Sequence, residues 1–193
     1  MIALDEEEYI ARAIKSVNGI ADEIIVIDGG SKDGTVRITN EFPKVKCFVR
    51  QWDDDYSTQR NFAISKSQYE WIFSLDCDEF IDEYVALGIR QLIDDPALAH
   101  DLYQFQYKHI TDNQFINLFD LDWHYKLFKR YCHYEKRLHE RVVGFSSPSR
   151  CNLDIKHIKT IKDQELDNLH YVTMESQYNL IPERKSDECR ELD

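Results

Sequence analysis

The sequence predicts an α/β fold, a Rossmann-like and mostly parallel central sheet flanked by helices, with a smaller part packed at its C-terminal side. Three observations predict it. The runs Glu23-Ile24-Ile25-Val26-Ile27-Asp28 and Glu70-Trp71-Ile72-Phe73-Ser74-Leu75 are short and nearly all apolar, as strands buried on both faces are. Segments with helical spacing lie between such runs. The runs end in acids, at the edge where open α/β sheets place their ligand crevice.

Taken in order, Met1-Ile2-Ala3-Leu4 is a strand stub, short enough that the chain starts inside its first strand. Residues 6–17 read as a helix: Glu6, Glu7 and Glu8 suit its N-terminus, and Tyr9, Ile10, Ala13, Ile14 and Val17 share one face. The second strand, 23–28, is broken by Gly29-Gly30. Ser31-Lys32-Asp33-Gly34-Thr35 then leads into a helix near 35–41, an arrangement that lets backbone N–H groups approach a ligand. Val45–Val49 is a third strand. The acidic loop Trp52-Asp53-Asp54-Asp55-Tyr56 precedes a helix capped by Ser57 and running to about Gln68, with Arg60 and Asn61 in its first turns. After the central strand comes a helix from about Asp82 to Ile93, stopped by Asp94-Asp95-Pro96. Tyr103, Phe105 and Tyr107 alternate with polar residues as in a half-exposed strand, and 125–131 reads as another strand. The last forty residues are polar, weakly helical near 163–180, with a loose charged tail.

The central strand ends in Asp76-Cys77-Asp78-Glu79. In an extended backbone residues two apart point to one side, so Asp76 and Asp78 can aim at one point. Two carboxylates so placed repel unless a cation lies between them, and Mg²⁺ or Mn²⁺ commonly shares such oxygen ligands with substrate phosphates. The structural alternative is a helix start in which Asp78 or Asp82 is a cap. Asp28 has a similar pair of readings, as an acceptor for a base or ribose or as a plain strand end before a turn. Lys126, Lys129, Arg130, Lys136, Arg137 and Arg141 concentrate between 124 and 141, a patch for an anionic acceptor or a diphosphate, or else a solvated face.

At 193 residues the chain is one domain of ordinary size. No stretch is apolar for long enough to span a membrane, and no signal peptide opens it. Five cysteines, odd in number and far apart, match no disulfide framework or zinc pattern and point to a reducing cytoplasm. A net charge of −12 argues against a nucleic-acid partner.

Several blocks together resemble the family 2 glycosyltransferases of GT-A fold, in particular small bacterial members related to lipopolysaccharide-core glucosyltransferases. Met1-Ile2-Ala3-Leu4-Asp5-Glu6-Glu7 is similar to the family's opening, and Ile25 to Thr35 to its V-D-D-G-S-x-D-G-T segment. Gln59-Arg60-Asn61-Phe62-Ala63 and Leu75-Asp76-Cys77-Asp78-Glu79 resemble Q-R-N-x-A and L-D-x-D-E. Lys126-Leu127-Phe128-Lys129-Arg130 and His139-Glu140 look like R-L-F-R-R and V-H-E. The resemblance spans about residues 1–145. It implies an inverting, non-processive transferase that moves a sugar from a nucleotide-diphosphate donor, a UDP-sugar first of all, to a glycan or lipid-linked acceptor. It also implies a divalent cofactor, Mg²⁺ or Mn²⁺. Residues 1–100 would form the donor half, 101–160 the acceptor half, and 161–193 a helical or loose tail. Donor binding would fall to Leu4, Glu6, Asp28, Gly30, Arg60, Asn61 and Asp76, and the metal to Asp76 and Asp78. Glu140 would be the general base, with His139 as metal ligand or alternative base. The implied place of work is the cytoplasm, with at most peripheral contact at the inner face of the membrane.

Three departures stand out: Gly29 replaces the second Asp of the nucleotide segment, Asp5 replaces an Asn, and no Q-x-x-R-W segment is present. The alternatives are a catalytically degenerate binding or scaffold module of the same fold, or a nucleotidyltransferase, whose glycine-rich phosphate loop is missing. A haloacid-dehalogenase-type phosphatase is disfavoured by Phe80 at the last position of its motif.

Overall fold

The computed structural model describes residues 1–111, 114–116 and 122–178. The expected charged tail lies outside them, as does Cys189. Two sheets carry the fold. The first is parallel, in the order β1 (Ile2–Ala3), β2 (Ile24–Asp28), β3 (Val45–Val49). Helix α1 (Ile10–Val17) buries Ile10, Ala13, Ile14 and Val17, the face that the spacing predicts. It starts later than expected. The amides of Glu6 and Glu7 are held by the Thr35 hydroxyl (2.7 Å) and the Asp33 carboxylate (2.9 Å), so this acidic stretch is tied to the turn after β2. That turn leads into α2 (Thr35–Thr39). Gly30 suits the turn because its φ of +103° is one that residues with a Cβ rarely adopt, and the end of the Gln51 side chain, 2.8 Å from where a Cβ would sit, would also have to move.

Helix α3 (Tyr56–Lys66) is capped by Asp55, whose carboxylate accepts the Thr58 amide at 2.9 Å, and the expected cap Ser57 donates its hydroxyl to the same carboxylate. An ionised acceptor is the stronger cap beside a helix N-terminus. β4 (Trp71–Phe73) and β5 (Glu79–Phe80) follow, then α4 (Glu83–Asp94), capped by Asp82 at 3.0 Å from the Val85 amide.

The second sheet takes over from here with β6 (Leu102–Thr111), β7 (Gln114–Ile116), β8 (Trp123–Lys129) and β11 (Pro148–Ile158). Its order is β4-β8-β6-β11-β5, with β7 on β6. Only β6 and β11 run parallel in it. Between β8 and β11 lies the hairpin β9 (His133–Glu135) and β10 (Arg141–Val143), and α5 (Ile161–Tyr178) ends the described chain.

The α/β class therefore holds, with a parallel first sheet and a mixed second one whose long β6–β11 pair is parallel. The central strand is also corrected. It is three residues long, half-buried, and antiparallel to β8. It also lines an apolar cavity of about 320 Å³ together with Ile24, Ile25, Ile64 and Ile89, while one buried core runs through both sheets. β6 departs from the half-exposed pattern too: Gln104 is buried along with Tyr103 and Phe105, because β8 and β11 flank the strand and Arg150 donates to the Gln104 amide oxygen. Among the described residues no helix is long and apolar enough to cross a membrane.

Asp101, just before β6, locks the second sheet to the loop before β11. Its buried carboxylate accepts the amides of Ser146 (2.6 Å) and Ser147 (2.8 Å) and the Tyr131 hydroxyl (3.0 Å). Burial pushes its pKa up, but these hydrogen bonds outweigh burial and hold it below the usual carboxylate value. A depressed pKa stabilises the fold above the unfolded value near 3.9, and this contribution is lost as pH falls through the folded one. Asp101→Asn should cost about 2 kcal/mol at pH 7 in urea melts. The gap to wild type should narrow below about pH 4.

Candidate active site

Three segments far apart in sequence meet at Arg60. α3 carries it toward the end of β4, where its guanidinium fork grips Asp76 through Nη1 (2.6 Å) and Nη2 (3.1 Å). Its Nε donates to Glu140 Oε1 at 2.8 Å, and the Tyr134 ring lies 5.5 Å beneath. Planar, always charged and able to bond two carboxylates at once, arginine suits this junction as lysine would not. Burial works against the Asp76 charge, but Arg60 and then Lys126 outweigh it and hold that carboxyl far below its ordinary pKa.

Asn61 arranges the other side of the cleft. Its amide accepts from the Tyr134 N–H and donates to the Tyr134 carbonyl, both at 2.8 Å, so α3 pins the β9–β10 hairpin that delivers Glu140. Beneath Asp76, Glu79 is 2 % exposed. It accepts the Asp76 amide at 3.1 Å, both its oxygens receive the Lys126 ammonium at 2.8 Å, and the Tyr107 hydroxyl donates to it. Lys126 also stands 3.6 Å from Asp76.

Asp78 faces a different neighbourhood. β11 brings His157 Nε2 to 3.0 Å and Lys159 Nζ to 3.4 Å from its Oδ2. Burial raises the Asp78 pKa, and the His157 hydrogen bond, followed by the charges of His157 and Lys159, brings it below normal. His157 in turn touches His109 (3.0 Å between Nδ1 atoms), which with His124 holds Asp122. Sequence reading passed over His157. A signal existed: Cys151, Leu153 and Ile155 alternate, and His157 continues their register.

Asp28 is buried, and its carboxylate accepts the amides of Gly30 (2.9 Å) and Ser31 (3.1 Å). Asp5 and Glu7 accept those of Lys32 (2.6 Å) and Gly34 (2.7 Å). The glycine turn thus has its amides occupied by the chain's own acids. Leu4 is exposed beside it. The Glu6 amide is held by Thr35, as described above. His139 lies apart from Asp78's partners: its Nε2 is 2.9 Å from Glu175 of α5, and its ring stacks on Tyr171.

The anticipated basic patch is dispersed. Lys126 is buried against Glu79, Lys129 pairs with Glu70, Arg137 reaches Asp55 and the carbonyls of Asp53 and Asp54, and Arg141 approaches Glu135. A half-exposed strand and a tight hairpin turn these bases to different sides.

Residues 1–144 match the sequence model of glycosyl transferase family 2. The chain belongs to that family. It is 40% identical over 100 residues to a TPR repeat-containing protein of Synechococcus elongatus, covering 51% of this chain and 25% of that one. With the lipopolysaccharide core biosynthesis glycosyltransferase LpsC of Rhizobium meliloti it shares 30% identity over 105 residues, 52% of this chain and 37% of LpsC. The chain thus spans between 25% and 37% of the length of these relatives. In three dimensions it is similar to glucosyl-3-phosphoglycerate synthase from Mycobacterium tuberculosis, solved with Mn²⁺, UDP-glucose and phosphoglyceric acid. There the TM-score is 0.55 at 14% identity, over 94% of this chain and 79% of that one. That likeness is one of fold, and it agrees with the GT-A class expected of this family 2 chain.

Removing Arg60 leaves two carboxylates in a buried cleft without their shared cation. Arg60→Ala should lose about 3–5 kcal/mol of stability in denaturant melts, and Arg60→Lys should recover only part of it.

Proposed function

We propose that the chain is the catalytic part of an inverting, non-processive glycosyltransferase that takes a sugar from a UDP-sugar and passes it to a glycan or lipid-linked acceptor. One observation carries the reading. The junction at Arg60 draws the carboxylate at the head of the D-x-D-E block and the carboxylate of the His-Glu pair into one cleft. Arg60 thereby holds the D-x-D-E turn, whose Asp78 would face the donor diphosphate, next to the carboxylate that would take the acceptor's proton.

A divalent ion fits this cleft at Asp78 rather than Asp76. Both Asp76 oxygens are bonded to the Arg60 fork, whereas Asp78 Oδ2 meets the His157 imidazole and the Lys159 ammonium, contacts that an ion could replace. The His157 nitrogen could join Asp78 as a ligand once their hydrogen bond opened. Among the described residues no cluster of three or more His, Cys, Asp or Glu could hold an ion alone. Mg²⁺ and Mn²⁺ readily complete such a partial shell with substrate phosphates and water. Bound there, the ion would offset charge growing on the departing diphosphate.

The chain's own residues do the rest. Arg60 fixes Glu140 through its Nε. Glu140 receives the acceptor hydroxyl's proton as that oxygen bonds to the anomeric carbon and the bond to the diphosphate breaks. Asp28 and the following turn line the nucleoside side. The names of similar proteins support the donor and the pathway class: the Mycobacterium tuberculosis synthase was solved with UDP-glucose and Mn²⁺, and LpsC is named for lipopolysaccharide core biosynthesis. On this reading the enzyme works in the cytoplasm, at most peripherally at the membrane's inner face.

UDP with Mn²⁺ at about 100 times Kd should raise the melting temperature by roughly 5–10 °C, and Asp78→Ala should remove the gain. Identical melting curves with and without ligand would favour a scaffold instead. Glu140→Gln should keep donor binding while transfer to a glycan acceptor falls about 10²–10⁴-fold, and undiminished transfer would take the base role from Glu140.

A further inference from the structure

We infer that Lys159 is a donor-binding residue, an ammonium that leaves Asp78 for the diphosphate of the nucleotide when a divalent ion docks. The inference rests on the UDP-sugar reading above and adds a residue beyond position 144, where the match to the family model stops.

The backbone beside Lys159 is fixed on two sides. Its own amide donates to the Ile110 carbonyl at 3.2 Å, and the Ile158 amide donates to the Asp78 carbonyl at 2.9 Å. β11 pairs in the same stretch with β6, His157 opposite His109, and with β5, His157 opposite Glu79. The strand end is therefore held against the D-x-D-E turn while the side chain keeps four carbons of reach. Its ammonium lies 3.4 Å from Asp78 Oδ2, and His157 Nε2 lies 3.0 Å from the same oxygen.

That oxygen cannot serve all comers. A divalent ion on Asp78 would stand within a few ångströms of the Lys159 ammonium, and like charges at that range repel strongly in a half-buried cleft. With an ion held there the ammonium would part from its carboxylate, and the diphosphate bound beside it would offer new oxygens. Lysine suits this exchange better than arginine would, because its compact charge pivots on a flexible stem and binds phosphate as a point charge. Asp76 has no such freedom, with both oxygens bonded to a rigid fork and Glu79 clamping its amide. The two acids of the motif then have separate tasks: Asp76 stays with the framework, and Asp78 trades an internal cation for an external one.

A purely structural Lys159 would neutralise Asp78 and nothing more. Calorimetric titration of the full chain in Mn²⁺ with uridine and with UDP separates the two roles. In Lys159→Met the Kd for UDP should rise about tenfold while that for uridine stays within about twofold, and Lys159→Arg should recover most of the UDP affinity. Equal weakening toward both ligands, or none toward UDP, overturns the assignment and leaves the donor reading standing. A wild-type chain that binds neither uridine nor UDP overturns the donor reading, and the role of Lys159 with it.

Discussion

A guanidinium with acids on two sides is the constraint on which the rest of this structure depends. Arg60 lies on a helix between two sheets that share no ladder, and its partners come from the end of β4 and from the loop before β10. Each contact alone would be an ordinary ion pair. Together they fix the distance between the two carboxylates and the angle between a strand end and a hairpin. Asn61, the next residue, faces the hairpin backbone, so one turn of helix sets both the charge and the position of the wall that carries Glu140. The block Gln59-Arg60-Asn61 is thus a joint. Gln59 bonds back to Arg50, Arg60 reaches forward into the cleft, and Asn61 reaches across it.

Beneath that joint lies a second layer of charge. Glu79 and Lys126 are both buried, and burying two ions costs more than their attraction returns unless further hydrogen bonds complete them. Here the Asp76 amide and the Tyr107 hydroxyl complete Glu79. The Tyr107 ring carries the layer outward by stacking on His124, at a centroid distance of 3.8 Å, and on His157. Orientation of Asp76 from below and approach of β11 to Asp78 from the side are thereby linked through one aromatic ring.

Local signals made the first half of the chain legible. The heptad-like spacing in α1, the glycine turn after β2 and the Asp82 cap each declare themselves within a few residues, because they depend on neighbours in sequence. The acids were harder. Glu6, Glu7 and Glu8 look like the start of a helix, yet the turn after β2 claims their segment, a tertiary contact that outcompetes local propensity. Asp76 and Asp78 look like one site, as extended geometry predicts, and they acquire different partners because β8 and β11 approach from different directions. Those approaches are pairings between strands tens of residues apart, which no local period encodes. The six bases from 124 to 141 mislead for a related reason: proximity in sequence says nothing about side once a strand alternates and a hairpin turns back.

The apolar space bounded by the start of β2, by β4 and by Met1 and Ile2 lies where the two sheets meet without a ladder. Elsewhere in a sheet, main-chain bonds make neighbouring strands move as one plate; at this seam the two plates touch through side chains and the helices laid across them. Asp28 stands at the end of one plate and Asp76 at the end of the other. The two acids therefore reach one cleft from sheets joined by side chains rather than by a ladder, with Arg60 of α3 bonded to Asp76 among those ties.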